Sequence, residues 1–397
     1  MPFGVYVHIP FCAARCGYCD FATWTDRSHL VDAYVDACIT DVTRRVARDE
    51  ITDATSVFFG GGTPSMLPAA QLLRVLDAIP RATGAEVTVE CNPDSVDDAK
   101  LAAYRAGGVT RVSFGVQSLR PHVLTFLDRT HDPGNVERAV HSARAAGFET
   151  FNLDLIYGAP GESTDDWRAT LDGVLDLGPP HVSAYALTVE PGTPLGRRVA
   201  AGTSPAPDDD DQAAKYDLAD DVLASAGLRW YELSNWSRPG HECRHNLDTW
   251  RGADYAGIGC AAHSHRQGHR WWNVRTPDRY LAIVADGGDP TAGDERLDDT
   301  AREGERLALG LRTRAGAVPP AGAATAVDDL VAAGLLERAG GGGFADRRRR
   351  SPKRSVRATN GAGGRVVLTR TGRRLAGDVT ARLLAASDQP GTAVGTR

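Results

Sequence analysis

No stretch of this chain approaches the ~18 consecutive apolar residues that a membrane-spanning helix needs, so none of it is expected to cross a bilayer. The opening Met-Pro-Phe-Gly shows no basic region, apolar core or cleavage site of a secretory leader. A cytoplasmic location is therefore expected, with peripheral contact at the inner face of a membrane left open. The formal charge of −6 gives no sign of a nucleic-acid or anionic-membrane binder. Cysteine is sparse and mostly dispersed: Cys38, Cys91, Cys243 and Cys260 stand alone and read as small buried hydrophobes. Only Cys12, Cys16 and Cys19 cluster, and no second cysteine knuckle follows to complete a paired zinc motif. In a reducing compartment, clustered thiols indicate metal or redox chemistry rather than disulfides.

What is present is a soluble composition, 42% hydrophobic and 24% charged, in 397 residues. That length suffices for a large core and more than one domain. Strand-like apolar runs at 5–9, 56–59, 86–90, 112–114, 150–156 and 182–187 alternate with helical patterns at 29–48, 69–79, 97–106, 133–146 and 164–177. Six such repeats predict an α/β fold on a parallel sheet, and both a partial barrel and a doubly wound sheet fit the pattern. In either, functional residues belong at the C-terminal ends of the strands. Beyond them come a polar stretch at 204–211, a helix at 212–226 and a strand at 229–233. Residues 234–273 are rich in His, Trp and Gly without periodicity, and are expected to form a long functional loop. From about residue 300, helices at 302–311, 327–333 and 371–384 with strands at 334–338 and 365–369 predict a winged-helix-like α+β unit. A Gly- and Arg-rich insertion, 340–364, is too polar to fold alone. The expected domains are 1–195, the barrel; 196–299, its extension with the His/Trp-rich segment; and 300–397, the C-terminal unit.

The cysteines follow C-x₃-C-x₂-C inside Tyr6-Val-His-Ile-Pro-Phe-Cys-Ala-Ala-Arg-Cys-Gly-Tyr-Cys-Asp-Phe21. Three thiolates from one tight loop can converge on a metal centre, whereas a cubane iron–sulfur cluster normally takes four. One iron is then left open, and an open metal position marks chemistry. The rival is a structural zinc site with His8 or Asp20 as the fourth ligand. Gly60-Gly-Gly-Thr-Pro-Ser65 follows the second strand, and neither a P-loop lysine nor a dinucleotide fingerprint completes it. Three glycines permit close backbone approach to a ligand with amino and carboxylate groups.

Together the two motifs resemble the radical S-adenosylmethionine (SAM) superfamily. Glu90-Cys-Asn-Pro93, Ser113-Phe-Gly-Val-Gln-Ser118, Asp128-Arg-Thr-His131 and Asn152-Leu-Asp-Leu-Ile-Tyr-Gly-Ala-Pro-Gly161 are similar to its branch of oxygen-independent coproporphyrinogen III dehydrogenases and haem chaperones. That resemblance implies a partial (β/α)₆ TIM-like barrel, with a [4Fe–4S] cluster on Cys12, Cys16 and Cys19 and SAM chelating the open iron. It implies Tyr6, Tyr18, Gly61, Gly62, Thr63 and Glu90 along the SAM, and Gln117, Arg129 and Asp154 as a further adenosine-site set. In that superfamily a reduced cluster passes one electron to the sulfonium.

Within the branch, the dehydrogenases extend the motif to C-x₃-C-x₂-C-x-C and carry a long arm ahead of the first strand. Here Phe21 holds the fourth position and the first strand begins near residue 4. Both features point to the chaperones. His245-Asn-Leu-Asp-Thr-Trp250 resembles their H-N-x-x-Y-W haem motif, with Thr249 in place of tyrosine, and so implies His245, Asn246 and Trp250 as haem-binding residues. Ala261 stands where the branch has glycine. A haem surface around Trp236, His245, Trp250, Trp271 and Trp272 is expected, with haem as cargo for acceptor haemoproteins such as membrane respiratory enzymes. A homodimer is left open. The alternatives are coproporphyrinogen III dehydrogenation, a metal site on His241, Cys243 and His245, and a nucleic-acid adaptor using the winged unit and the basic run at 347–354.

Overall fold

Alternation decides which way each strand faces. In β1 (Phe3–Ile9), Phe3, Val5, Val7 and Ile9 are buried on one side while Tyr6 and His8 take the other. The same period runs through β2 (Ala54–Gly61), β3 (Arg81–Cys91), β4 (Arg111–Gln117), β5 (Thr150–Tyr157) and β6 (His181–Ala186). Their outward sets, among them Val57, Phe59, Val87, Val89, Val112, Phe114, Leu153, Leu155 and Val182, are wholly buried. They pack beneath helices α1 (Val31–Val46), α2 (Ala69–Ala78), α3 (Asp98–Ala106), α5 (Pro133–Ala145) and α6 (Thr164–Asp176), while the short α4 (Pro121–Phe126) clusters instead with Ile156, Leu187 and Leu195. Neighbouring helices touch in series, α1 with α2, α2 with α3 and α3 with α5, so they form one layer outside the sheet. Each aliphatic side chain sealed in that layer stabilises by roughly 1.5–3 kcal/mol. The sheet's inner face is thereby free to be polar: Glu90, Ser113, Asn152 and His181 form one rung across β3 to β6.

These residues belong to a computed structural model that describes residues 2–129, 132–339 and 364–387, in two compact units, Met1–Leu297 and Asp298–Arg397. His131, the basic run at 347–354 and nearly all of the 340–364 insertion lie outside the described residues. In the first unit β1 to β6 neighbour one another in sequence order, every pair parallel. A doubly wound sheet would reverse its order at a switch point. None occurs, so the open partial barrel is the architecture.

The barrel is extended at both flanks. Next come α7 (Pro194–Ala200) and α8 (Asp209–Ser225), then β7 (Arg229–Glu232) and β8 (Asn235–Ser237), which add antiparallel strands beside β6. After α9 (Arg244–Trp250), strand β9 (Asp254–Ile258) pairs parallel with β1 on its free side. From it hang the antiparallel strands β10 (His263–Arg266) and β11 (His269–Asn273), then α10 (Pro277–Ala285) and β12 (Thr291–Arg296). The expectation of a long loop over 234–273 is therefore corrected: four strands and a helix occupy it. The strands have only three to five residues each, too short to show a period, and ladder pairing orders them. Trp236 is also not a surface residue, being fully buried with its indole N–H on Asp220.

The second unit holds α11 (Asp299–Leu311), α12 (Ala324–Ala332), β13 (Leu336–Arg338), β14 (Val366–Leu368), α13 (Arg370–Arg374) and α14 (Ala376–Ser387). Leu307, Leu311, Val327, Leu330, Leu336, Val366, Leu368, Val379 and Leu383 make its core, and β13 pairs antiparallel with β14 as the arms of a wing. The helix expected at 371–384 is broken at Leu375, whose backbone leaves the helical region. Among the described residues no helix is long and apolar enough to cross a membrane.

Candidate functional site

The three cysteines lie in the loop that leaves the C-terminal end of β1. Trp24 closes its base, donating its N–H to the Pro10 carbonyl (2.8 Å) and accepting that of Cys12 (3.1 Å). Gly17 donates to the Leu127 carbonyl, and its own carbonyl accepts the Leu195 N–H at 2.8 Å, tying the loop to the ends of α4 and α7. All three thiols are free and half-buried. Donors already stand at two of the sulfurs: the Thr63 hydroxyl is 3.7 Å from Cys12 Sγ and Arg129 Nη1 is 3.6 Å from Cys16 Sγ. Such bonds stabilise thiolates and tune clusters. Burial pushes the Cys12 thiol up and the Cys19 thiol to about 11, so a metal bound there would have to displace protons. Among the described residues no three His, Cys, Asp or Glu side chains converge where one ion could be held. A cubane asks for something different, since each thiolate binds its own iron.

The glycine run is laid directly along this loop. Gly62 and Thr63 donate to the Ile9 and Phe11 carbonyls at 2.8 Å each. Gly61 has φ +105°, and a Cβ there would land 2.4 Å from the His8 ring. A Cβ on Gly62 would meet the Phe11 carbonyl at 2.7 Å and Cys12 Sγ at 3.1 Å. Side-chain-free backbone is thus required beside the sulfurs.

Below it the inner face carries two buried carboxyls. Glu90 has one hydrogen bond among the described residues, from Gly61 N–H at 3.2 Å. Burial, then the charge of Asp154, pushes it up to about 8. Asp154 accepts from Ser113 (2.6 Å) and Asn152 (2.7 Å), and burial raises it too. Neither makes an ion pair among the described residues. Arg129 donates Nη2 to the Gly115 carbonyl (2.6 Å), while its Nε is buried without a partner, as is the Thr88 hydroxyl. Gln117 sits at φ +64°, at a ladder irregularity, a strained conformation of the kind found at ligand sites. Unpaired acids and an orphaned guanidinium nitrogen, around a glycine cradle, fit a ligand with cationic, hydroxyl and carboxylate groups. SAM is such a ligand.

This arrangement sets a pH dependence. Glu90 takes up its proton on folding, so the stability it contributes is full below its ordinary value and falls as pH rises towards 8. The slope is of the order of 1 kcal/mol per pH unit. Thermal unfolding of the ligand-free chain between pH 5.5 and 8 should show Glu90→Gln losing less stability than the parent; parallel curves would contradict the assignment.

His245 lies on the inner side of the same wall. Glu86 draws α9 onto β1 and β2 by accepting the Arg244 and His245 N–H groups (3.1 and 3.0 Å). Ser56 Oγ then meets His245 Nδ1 at 3.0 Å, and the ring stacks on Phe58 at 5.2 Å. Burial lowers its pKa to about 4, which keeps the imidazole neutral. Asn246 and Trp250 turn instead to the buried carboxyl of Glu232, where they anchor α9 to β7. Rings continue from Phe58 to Tyr6 (6.3 Å) and on to His8 (6.1 Å). His8 spends both nitrogens, on Tyr6 OH (3.2 Å) and the Ala22 carbonyl (2.9 Å), and so offers no lone pair to a metal. His241 bonds Thr150 and Cys243 bonds Glu86, so the His241–Cys243–His245 run does not form one site.

A cavity of about 410 Å³ opens here, lined by Tyr6, Phe21, His245, Tyr255, His263 and Arg275 among others. That lies within the range of small-ligand sites. Phe21, 57% exposed, forms part of the wall. Ala261, at φ +56°, also lines it, in the backbone conformation that suits the branch's glycine. Sequence reasoning missed Ser56, Phe58, Glu86 and Glu232, which position α9. For Ser56, Glu86 and Glu232 the signal was a polar residue at an even-numbered position of a strand; Phe58, apolar among apolar neighbours, gave none.

The three-cysteine loop, the glycine cradle and the partial barrel define a radical SAM protein, and the family model of the radical SAM superfamily matches residues 6–174. The chain is 46% identical over 322 residues to the haem chaperone HemW of Mycobacterium tuberculosis, covering 79% of this chain and 83% of that one. It is 38% identical over 267 residues to HemW of Escherichia coli, with 66% and 70% covered. In fold it is similar to the coproporphyrinogen III oxidase HemN of Escherichia coli, with TM-score 0.78 and 22% identity across 96% of this chain and 90% of that one. The chain belongs to the HemW family.

Proposed function

We propose that this chain is a haem chaperone: it binds haem in the cavity beside His245 and passes it to acceptor haemoproteins. The observation that carries the proposal is its kinship, over four-fifths of its length, with proteins named for that activity. The cavity agrees. It offers a neutral imidazole whose Nε2 makes no hydrogen bond among the described residues, aromatic walls and a rim cation, which suit a flat, apolar, anionic macrocycle.

Cys12, Cys16 and Cys19 would hold a [4Fe–4S] cluster, with Thr63 and Arg129 donating to the sulfurs. Tyr6, Tyr18, Gly61, Gly62, Thr63, Glu90, Gln117, Arg129 and Asp154 would hold SAM. In that set the glycines let backbone approach it, Glu90 and Asp154 accept from its hydroxyl or amino groups, and Arg129 pairs with a carboxylate. When bound, these groups supply one-electron chemistry at an open iron. Phe21 puts a ring, rather than a fourth thiol, on the cavity wall, which favours a carrier over a porphyrinogen dehydrogenase.

The test is transfer. Haem-loaded chain mixed with an apo-haemoprotein, such as an apo-cytochrome b, should lose its haem to the acceptor faster than free haem loads it. Retention of haem by the chain, or loading no faster than from free haem, would count against a chaperone.

A further inference from the structure

We propose that His263 is the second axial ligand of haem held by His245. The inference rests on the haem-binding reading above. Three histidines line the cavity. His8 has no nitrogen to give, because Tyr6 and Ala22 hold both. His245 has one, since Ser56 holds only Nδ1. His263 has two: it is exposed, and neither ring nitrogen makes a hydrogen bond among the described residues.

Its ring is nevertheless positioned. It stacks on Trp272, across the β10–β11 ladder, at 5.8 Å and 29°. Its carbonyl closes against Gly257 of β9, where a Cβ would come within 2.1 Å. An imidazole fixed by stacking, with both nitrogens open, costs little further ordering on ligation. The two histidines come to the same cavity from different elements: His245 from α9, against the inner face of β1 and β2, and His263 from β10, which hangs from β9. Haem iron takes its axial ligands from its two faces.

Arg275, exposed on the same cavity, makes no ion pair among the described residues. It is the group a haem propionate would meet, while Asp20 on the cysteine-loop side disfavours the carboxylates there.

The experiment is absorption and electron paramagnetic resonance of the full, cluster-reconstituted chain titrated with ferric haem. The parent should show a low-spin, six-coordinate spectrum at one haem per chain. His263→Ala should still take up one haem but show a high-spin spectrum, and added free imidazole should restore low spin. A low-spin spectrum that survives His263→Ala, or a parent that is already high-spin, overturns the inference while leaving haem binding intact. No haem uptake by the parent defeats the underlying reading itself.

Discussion

Replacing Cys16 by alanine is expected to take the iron content of the anaerobically reconstituted chain from about four atoms to nearly none. The proposed cluster would have three cysteine ligands from one loop, so losing one would leave two thiolates. His8 is engaged at both nitrogens, and the remaining cysteines are buried elsewhere. The loop itself should survive the change. Its base is closed by backbone bonds between Cys12, Trp24 and Pro10, and Gly17 is pinned by Leu127 and Leu195, none through the Cys16 side chain. Loss of iron with an unchanged circular dichroism spectrum would thus report on ligation. Iron that stays at the parent level in Cys16→Ala would remove the cluster from the account.

His245→Ala is expected to weaken haem binding at least tenfold, about 1.4 kcal/mol, and to collapse the Soret shift. The helix carrying it does not depend on the ring. Glu86 holds α9 through main-chain N–H groups, and Glu232 holds it through Asn246 and Trp250. The variant should therefore fold, leaving Ser56 facing a vacated space beside Phe58. Asn246→Ala should behave differently, loosening α9 from β7 and lowering stability along with haem affinity. Equal affinities in His245→Ala and the parent would move the haem elsewhere.

Much of this is legible in the sequence. The βα repeats appear where apolar runs placed them, because each strand's outward set is long enough to show its period and seals against an amphipathic helix. The C-terminal strand ends hold the cysteine loop, the glycine cradle and Gln117. The extension was not legible: β8 and β10 have three and four residues, and pairing with β6 and β7, and with β9 and β11, gives them shape. Nor did a resemblance to a haem motif tell which of its residues face the cavity. His245 faces the cavity, whereas Asn246 and Trp250 face Glu232, a carboxyl some fifteen residues away that no local pattern connects to them. Buried acids such as Glu90 look in sequence like ordinary strand-end polar residues. Their significance comes from the ladder register that sets a hydrophilic rung inside an apolar shell.

The central claim is that this radical SAM fold carries haem rather than transforming a porphyrinogen. Haem titration of the cluster-loaded chain, run beside an assay for conversion of coproporphyrinogen III to protoporphyrinogen IX, tests it most directly. The account predicts saturable uptake of one haem per chain, dependent on His245, with no turnover of the porphyrinogen. Catalytic conversion of coproporphyrinogen III by a chain that takes up no haem would contradict it.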